Sequence, residues 1–158
     1  MSLNVRKKRI TDTHRYSMRI TTQGDYAMKC VLSIAKNCNE GPVSVSRMVQ
    51  DEGLPLDYIE QLLMKLRRCK LIKSVRGAKG GYLLNRDASL ISAKDVIEAV
   101  EGDAFEVICA RKKALKNKKC VSSDCCVLKG LWNRLKRSIE ECLEQETIQS
   151  LLLRRSGS

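Results

Sequence analysis

The residues most able to do chemistry are thiols. The chain carries eight cysteines, Cys30, Cys38, Cys69, Cys109, Cys120, Cys125, Cys126 and Cys142, and four of them fall between positions 109 and 126. Thiolates are soft, negatively charged donors that hold zinc and iron–sulfur clusters, and they can also pair or exchange as redox switches. The N-terminus has no apolar stretch of the kind an export signal needs, so a reducing cytoplasm is expected and a disulfide framework is not. In that setting a cluster of Cys points to metal binding or redox sensing. Arg111, Lys112, Lys113, Lys116, Lys118 and Lys119 surround it, and positive charge favours the thiolate form. Structural zinc prefers paired Cys-x2-4-Cys spacing. Cys120 and Cys125 reach the upper end of that range, but no second pair exists, and the adjacent Cys125 and Cys126 are poorly placed to face one ion. A thiol switch at Cys125 or Cys126 is the alternative. Cys30, Cys69 and Cys142 sit in apolar-periodic stretches and read as small core residues or inert thiols. Cys38, near a helix end, stays open.

The elements that must position this cluster come from charge and periodicity. The 158 residues carry a formal charge of +12, with Lys+Arg 30 against Asp+Glu 18. Such an excess favours an anionic partner, nucleic acid first and a membrane surface second. No apolar run approaches the roughly 20 residues of a membrane span. Catalysis has little to work with. The sole histidine is His14, no Cys-x-x-Cys occurs, and Gly-Ala-Lys-Gly-Gly lacks the Lys-Ser/Thr ending of a phosphate loop. A protein-interaction module is the remaining rival class.

Residues 1–17 are basic, polar and aperiodic and read as a disordered extension, with 154–158 as a tail. The spacing predicts an amphipathic helix over 25–38. A short helix follows, capped by Ser44 and stopped by Gly53, then a third starting at Pro55 with Leu56, Ile59, Leu62, Leu63 and Leu66 on its buried face. The period then changes to that of strands around Gly77, Gly80 and Gly81, a hairpin whose loop carries Arg76 and Lys79. Ser92 caps a fourth helix that stops at Gly102. An apolar stripe from Leu128 to Leu152 predicts one long helix over 127–153, about 40 Å at the standard rise, whose exposed stripe calls for a second copy of itself.

Helix order plus a basic, glycine-rich hairpin is the order of a winged helix-turn-helix, whose third helix enters the major groove while the wing meets phosphates or the minor groove. The fold class expected is mainly α with a small β-hairpin wing and a long C-terminal dimerisation helix. The DNA-contacting candidates are Tyr58, Glu60, Gln61, Lys65 and Arg68 on the third helix, with Arg76 and Lys79 on the wing. Arg67 and Lys73 extend the basic stripe. Tyr58 could equally pack beneath its helix, and Tyr82 reads as a strand residue on the core.

The runs MRITTQGDYAM, LPLDYIEQLLMKLRRCKLIKSVRGAKGGYLLNRD, ISAKDVIEAVEG and CVLKGLW resemble the IscR/NsrR-type (Rrf family) winged-helix regulators of bacteria over about residues 18–153. The resemblance implies that Met18 is the natural start. It also implies a homodimer on palindromic promoter DNA, with winged helix-turn-helix domains over 18–102, a Cys-rich sensor loop over 103–126 and a dimerisation helix over 127–153. Many members hold an iron–sulfur cluster on three Cys of that loop. The matching thiols are Cys120 and Cys126, with Cys109 as the upstream third, although the interval from Cys109 to Cys120 is about twice the family's usual one. The iron–sulfur assembly regulators add a His three residues after the last Cys, where this chain has Lys129. The nitric-oxide-sensing members use an Asp in an Asp-Tyr-Ala run, supplied from across the dimer. Asp25-Tyr26-Ala27 occupies that place, so Asp25 of the partner subunit is the fourth-ligand candidate, or else a cap of the first helix. The signal implied is nitric oxide, iron or redox state. Whether the cluster is [2Fe-2S] or [4Fe-4S] does not follow from the spacing.

Overall fold

The computed structural model describes residues 21–102 and 127–155. The basic extension over 1–17 and the Cys-rich loop over 103–126 lie outside the described residues. The order is α1 (Thr22–Lys36), a 3-10 turn (Cys38–Glu40), α2 (Val45–Glu52), α3 (Leu56–Arg68), β1 (Ile72–Val75), β2 (Gly81–Leu84), a 3-10 turn (Ala88–Leu90), α4 (Ala93–Glu101), α5 (Val127–Gln145) and α6 (Ile148–Arg155). This is a mainly helical fold with one two-stranded antiparallel wing, as expected from the sequence.

Local chemistry sets most boundaries. The Ser44 hydroxyl accepts from the Arg47 N–H, and Gly53 ends α2 in the left-handed region at φ 63°. Ser92 and Asp95 form a reciprocal capping box at the start of α4. The start of α1 corrects one expectation. Its cap is Thr21, whose hydroxyl accepts from the Gln23 and Gly24 N–H groups, and Asp25 lies one turn inside the helix.

The core gathers Ile34 and Val31 of α1, Met48 of α2, Ile59, Leu62, Leu63 and Leu66 of α3, Ile72 of β1, Val96 of α4 and Ile148 of α6. Burying each such side chain is worth about 1.5–3 kcal/mol. Leu56 departs from the expected buried face and stays half exposed, because it sits at the first helical position, off the Ile59–Leu63–Leu66 stripe.

The C-terminal stripe is not one helix. It breaks at Glu146-Thr147, where the backbone pairs with the segment entering α4: Ala93 N–H donates to the Glu146 carbonyl at 2.7 Å and Ile148 N–H to the Ile91 carbonyl at 2.9 Å. Thr147 then caps α6 by accepting from Ser150 N–H at 3.1 Å. So α5 has 19 residues, about 28 Å at the standard rise. Arg154 and Arg155, expected in a tail, belong to α6, and Ile148 belongs to the core.

Candidate nucleic-acid interface

The face of α3 opposite the core carries Asp57, Glu60, Gln61, Met64, Arg67 and Arg68, all exposed. Three of the sequence candidates, Glu60, Gln61 and Arg68, therefore share one solvent-facing side. Met64 lies among them at 45% exposure, within 3.7 Å of an Arg68 guanidinium nitrogen. Sequence reasoning did not single it out, since the contacts sought on this face were polar and charged.

The other two α3 candidates take a different flank. Tyr58 packs edge-on against Tyr26 of α1, ring centroids 5.5 Å apart, and is partly buried on the core. Lys65 Nζ donates to the Val100 carbonyl at the end of α4, at 2.9 Å. Tyr58 and Lys65 are seven positions apart, two turns along one side of α3, so a single helix side faces α1 and α4.

The wing holds the basic pair. β1 and β2 pair antiparallel in the register Ile72↔Leu84, Lys73↔Leu83, Ser74↔Tyr82, Val75↔Gly81. Lys73, Arg76 and Lys79 are exposed along its outer edge. Among the described residues no carboxylate pairs with Arg67, Arg68, Lys73, Arg76 or Lys79. Arg47 of α2 differs, since it is held by Glu40 at 2.7 Å and by the Asn37 side chain at 2.9 Å. The wing is fixed to the helices by Val43, which exchanges backbone hydrogen bonds with Tyr82 at 3.0 and 2.9 Å. That pairing leaves no room at Gly81, where a Cβ would run into the Val43 carbonyl. At the wing tip, Gly77 takes φ 118°, which L side chains rarely adopt.

The ligand candidates divide in two. Cys109, Cys120 and Cys126 lie outside the described residues, as does Cys125. Asp25 is exposed on α1 and its carboxylate pairs with Lys29 at 3.0 Å, which raises the Lys29 pKa through that hydrogen bond and the attraction behind it. Lys29 also lies over the Tyr26 ring at 5.5 Å. The other thiols correct the sequence reading. Cys30 is fully buried, and desolvation pushes its thiol up to about 12. Cys69 and Cys142, read as small core residues or inert thiols, are exposed and so not core, and Cys38 is exposed as well. Cys69 sits at the C-terminal cap of α3, past its last apolar contact, and Cys142 lies on the solvent side of α5.

α5 carries an apolar surface that nothing in the described chain covers. Leu128, Leu131, Trp132 and Leu135 are 54, 46, 41 and 37% exposed. They recur at three- and four-residue intervals, which places them on one face. Among the described residues no helix is long and apolar enough to cross a membrane.

Comparison with known proteins matches this architecture. A family profile described as "Rrf2: Iron-dependent Transcriptional regulator" matches residues 20–154. The transcriptional regulator IscR of Xenorhabdus nematophila is 36% identical over 135 residues, which cover 85% of this chain and 79% of that one. Among solved structures, the global cysteine regulator CymR of B. subtilis is 31% identical with a TM-score of 0.72, over 85% of this chain and 95% of that one. T. potens IscR is 34% identical with a TM-score of 0.70, over 87% and 88%. These relatives are transcriptional regulators and not enzymes, and the chain belongs to the Rrf2 family of DNA-binding transcriptional regulators.

Proposed function

We propose that the chain is a homodimeric cytoplasmic regulator that binds palindromic promoter DNA, with an affinity set by an iron–sulfur cluster on the 103–126 segment. The observation that carries the DNA reading is the run of exposed cations from Arg67 to Lys79, with no carboxylate partner among the described residues, beside the polar outer face of α3. Glu60, Gln61 and Arg68 are then offered to base edges, Met64 to a thymine methyl, and Arg76 and Lys79 to phosphates. The dimer reading is supported by the uncovered Leu128–Leu135 face of α5. Pairing two copies along that face places two reading helices at a fixed spacing, as a palindrome requires.

For the cluster, the donor chemistry fits: Cys109, Cys120 and Cys126 supply three soft thiolates, and Asp25 of the partner subunit a harder oxygen. When bound, such a cluster brings iron that responds to redox state and to small diatomic ligands. The chain's own part is to hold the thiols deprotonated among Arg111, Lys112, Lys113, Lys116, Lys118 and Lys119. Asp25 must leave Lys29 to serve, and as an exposed surface pair that contact costs little to break. The second reading is a cluster-free regulator with a thiol switch at Cys125 or Cys126. That CymR of Staphylococcus aureus, 34% identical and of the same fold, was solved in an oxidized form favours it.

The test is iron and acid-labile sulfide per subunit after anaerobic purification, for wild type, Cys120→Ala and Cys30→Ala. Matched iron and sulfide in wild type and Cys30→Ala, with loss of both in Cys120→Ala, is the expected result. Equal content in both variants would remove Cys120 from the ligand set. A wild type that takes up neither on reconstitution would move the reading to the thiol switch.

A further inference from the structure

The end of α4 leads into the 103–126 segment, and two other helices hold it. The Val100 carbonyl accepts hydrogen bonds from Lys65 Nζ of α3, at 2.9 Å, and from Gln23 Nε2 of α1. Next to it, the Glu101 carboxylate accepts from the Thr21 hydroxyl at 2.6 Å. The last carbonyls of a helix have no N–H of their own helix to accept from, and they carry the negative end of its dipole. An ammonium group answers both needs. Lys65 is half-buried, whereas Arg67 and Arg68 beside it are exposed. Cys69, one turn further along the same side of α3, brings its Sγ to 4.0 Å from the Ala99 carbonyl. Tyr58, two turns earlier, packs on Tyr26.

We infer that Lys65 is a positioning residue and not a phosphate contact: it fixes the angle of α3 by docking on the C-terminal carbonyl of α4. The inference rests on the DNA-binding reading above and changes what one basic residue does within it. Tyr58 and Lys65 form the flank by which α3 is seated on α1 and α4, and Glu60, Gln61 and Arg68 form the face that the seating aims. Val100 lies three residues before the 103–126 segment. A change in that segment that moves Val100 therefore moves a direct partner of the reading helix.

Salt dependence separates the two roles, because each lost phosphate contact lowers the slope of log K against log salt by about 0.9. The probe is a duplex selected by the wild-type protein from a random-sequence library. Lys79→Ala serves as the phosphate-contact control, expected to lose about 0.9 of slope. Lys65→Met is expected to keep the wild-type slope while affinity falls by about tenfold. Gln23→Met removes the other donor to Val100 from a different helix and is expected to do the same in milder form, which keeps the test decisive if Lys65→Met folds poorly. A Lys65→Met slope that drops as Lys79→Ala's does, or a Lys65→Met protein that binds as wild type, overturns the assignment. So does a Gln23→Met protein with wild-type affinity. A wild type that selects no duplex at all would instead overturn the DNA-binding reading itself.

Discussion

α3 and α5 are both amphipathic helices with leucines at three- and four-residue intervals, yet they end in opposite situations. In α3 the stripe Ile59, Leu62, Leu63 and Leu66 is closed off from water by α1, α2 and the wing. In α5 the stripe Leu128, Leu131, Trp132 and Leu135 is left open by the described residues. Periodicity specifies that a face must be covered; it does not specify by what. Where the partner lies within the chain, the result is a core. Where the described residues supply none, the result is an uncovered surface of several large side chains, of the kind found at interfaces. The contrast separates a region that the chain packs for itself from a face that the described residues leave uncovered.

The largest effect that tests this contrast is a core truncation. Leu63→Ala should cost about 2–5 kcal/mol of folding stability, read from urea denaturation at fixed protein concentration. Trp132→Glu should leave the folded monomer intact and raise the dimer dissociation constant by about 100-fold, roughly 2.7 kcal/mol, read by sedimentation on dilution. A Trp132→Glu protein that stays dimeric would place the interface elsewhere. Next comes the wing. Gly81→Ala must push the Val43 carbonyl away, at about 1–3 kcal/mol, with weaker DNA binding as the wing shifts. Nuclear magnetic resonance shifts confined to Val43 and the wing would locate that strain.

The last effect is a pH dependence, confined to alkaline solution. Burial raises the Cys30 thiol from 9.0 to about 12. Below pH 9 the thiol is protonated in both folded and unfolded chains, so its contribution to stability is fully present. Above pH 9 the unfolded chain ionises first, and stability falls by roughly 1.4 kcal/mol per pH unit until the folded group also titrates. Urea midpoints taken from pH 8 to 10.5 should show that decline in wild type and a shallower one in Cys30→Ala. Identical slopes would mean that Cys30 is not sealed from solvent.

Much of the fold is legible in the residues because it is set by local chemistry. Ser44, Gly53, Ser92 and Gly102 mark helix ends by side-chain capping or by backbone freedom, and each does so here. The features that escape such reading are tertiary. The break between α5 and α6 falls inside a continuous apolar stripe and is imposed by backbone pairing with Ile91 and Ala93, 50 and more positions away. Thr21 and not Asp25 caps α1, a difference of one turn that a resemblance centred on Asp25 obscures. Lys65 and Arg68 are both cations on one helix, and only the presence of α4 shows that one of them is turned inward. Of the candidate site, the outer face of α3 and the wing could be read from pattern alone. Tyr58 could not, because an aromatic residue on a flank suits either role.

The central claim is that promoter affinity depends on a cluster held by this chain. The most direct test is one anaerobic preparation, assayed for iron and acid-labile sulfide, whose affinity for a selected palindromic duplex is measured before and after the cluster is stripped. The account predicts matched iron and sulfide and an affinity change of about 5- to 150-fold, the usual range of coupling between two sites. Iron and sulfide present with the same affinity before and after stripping would contradict it.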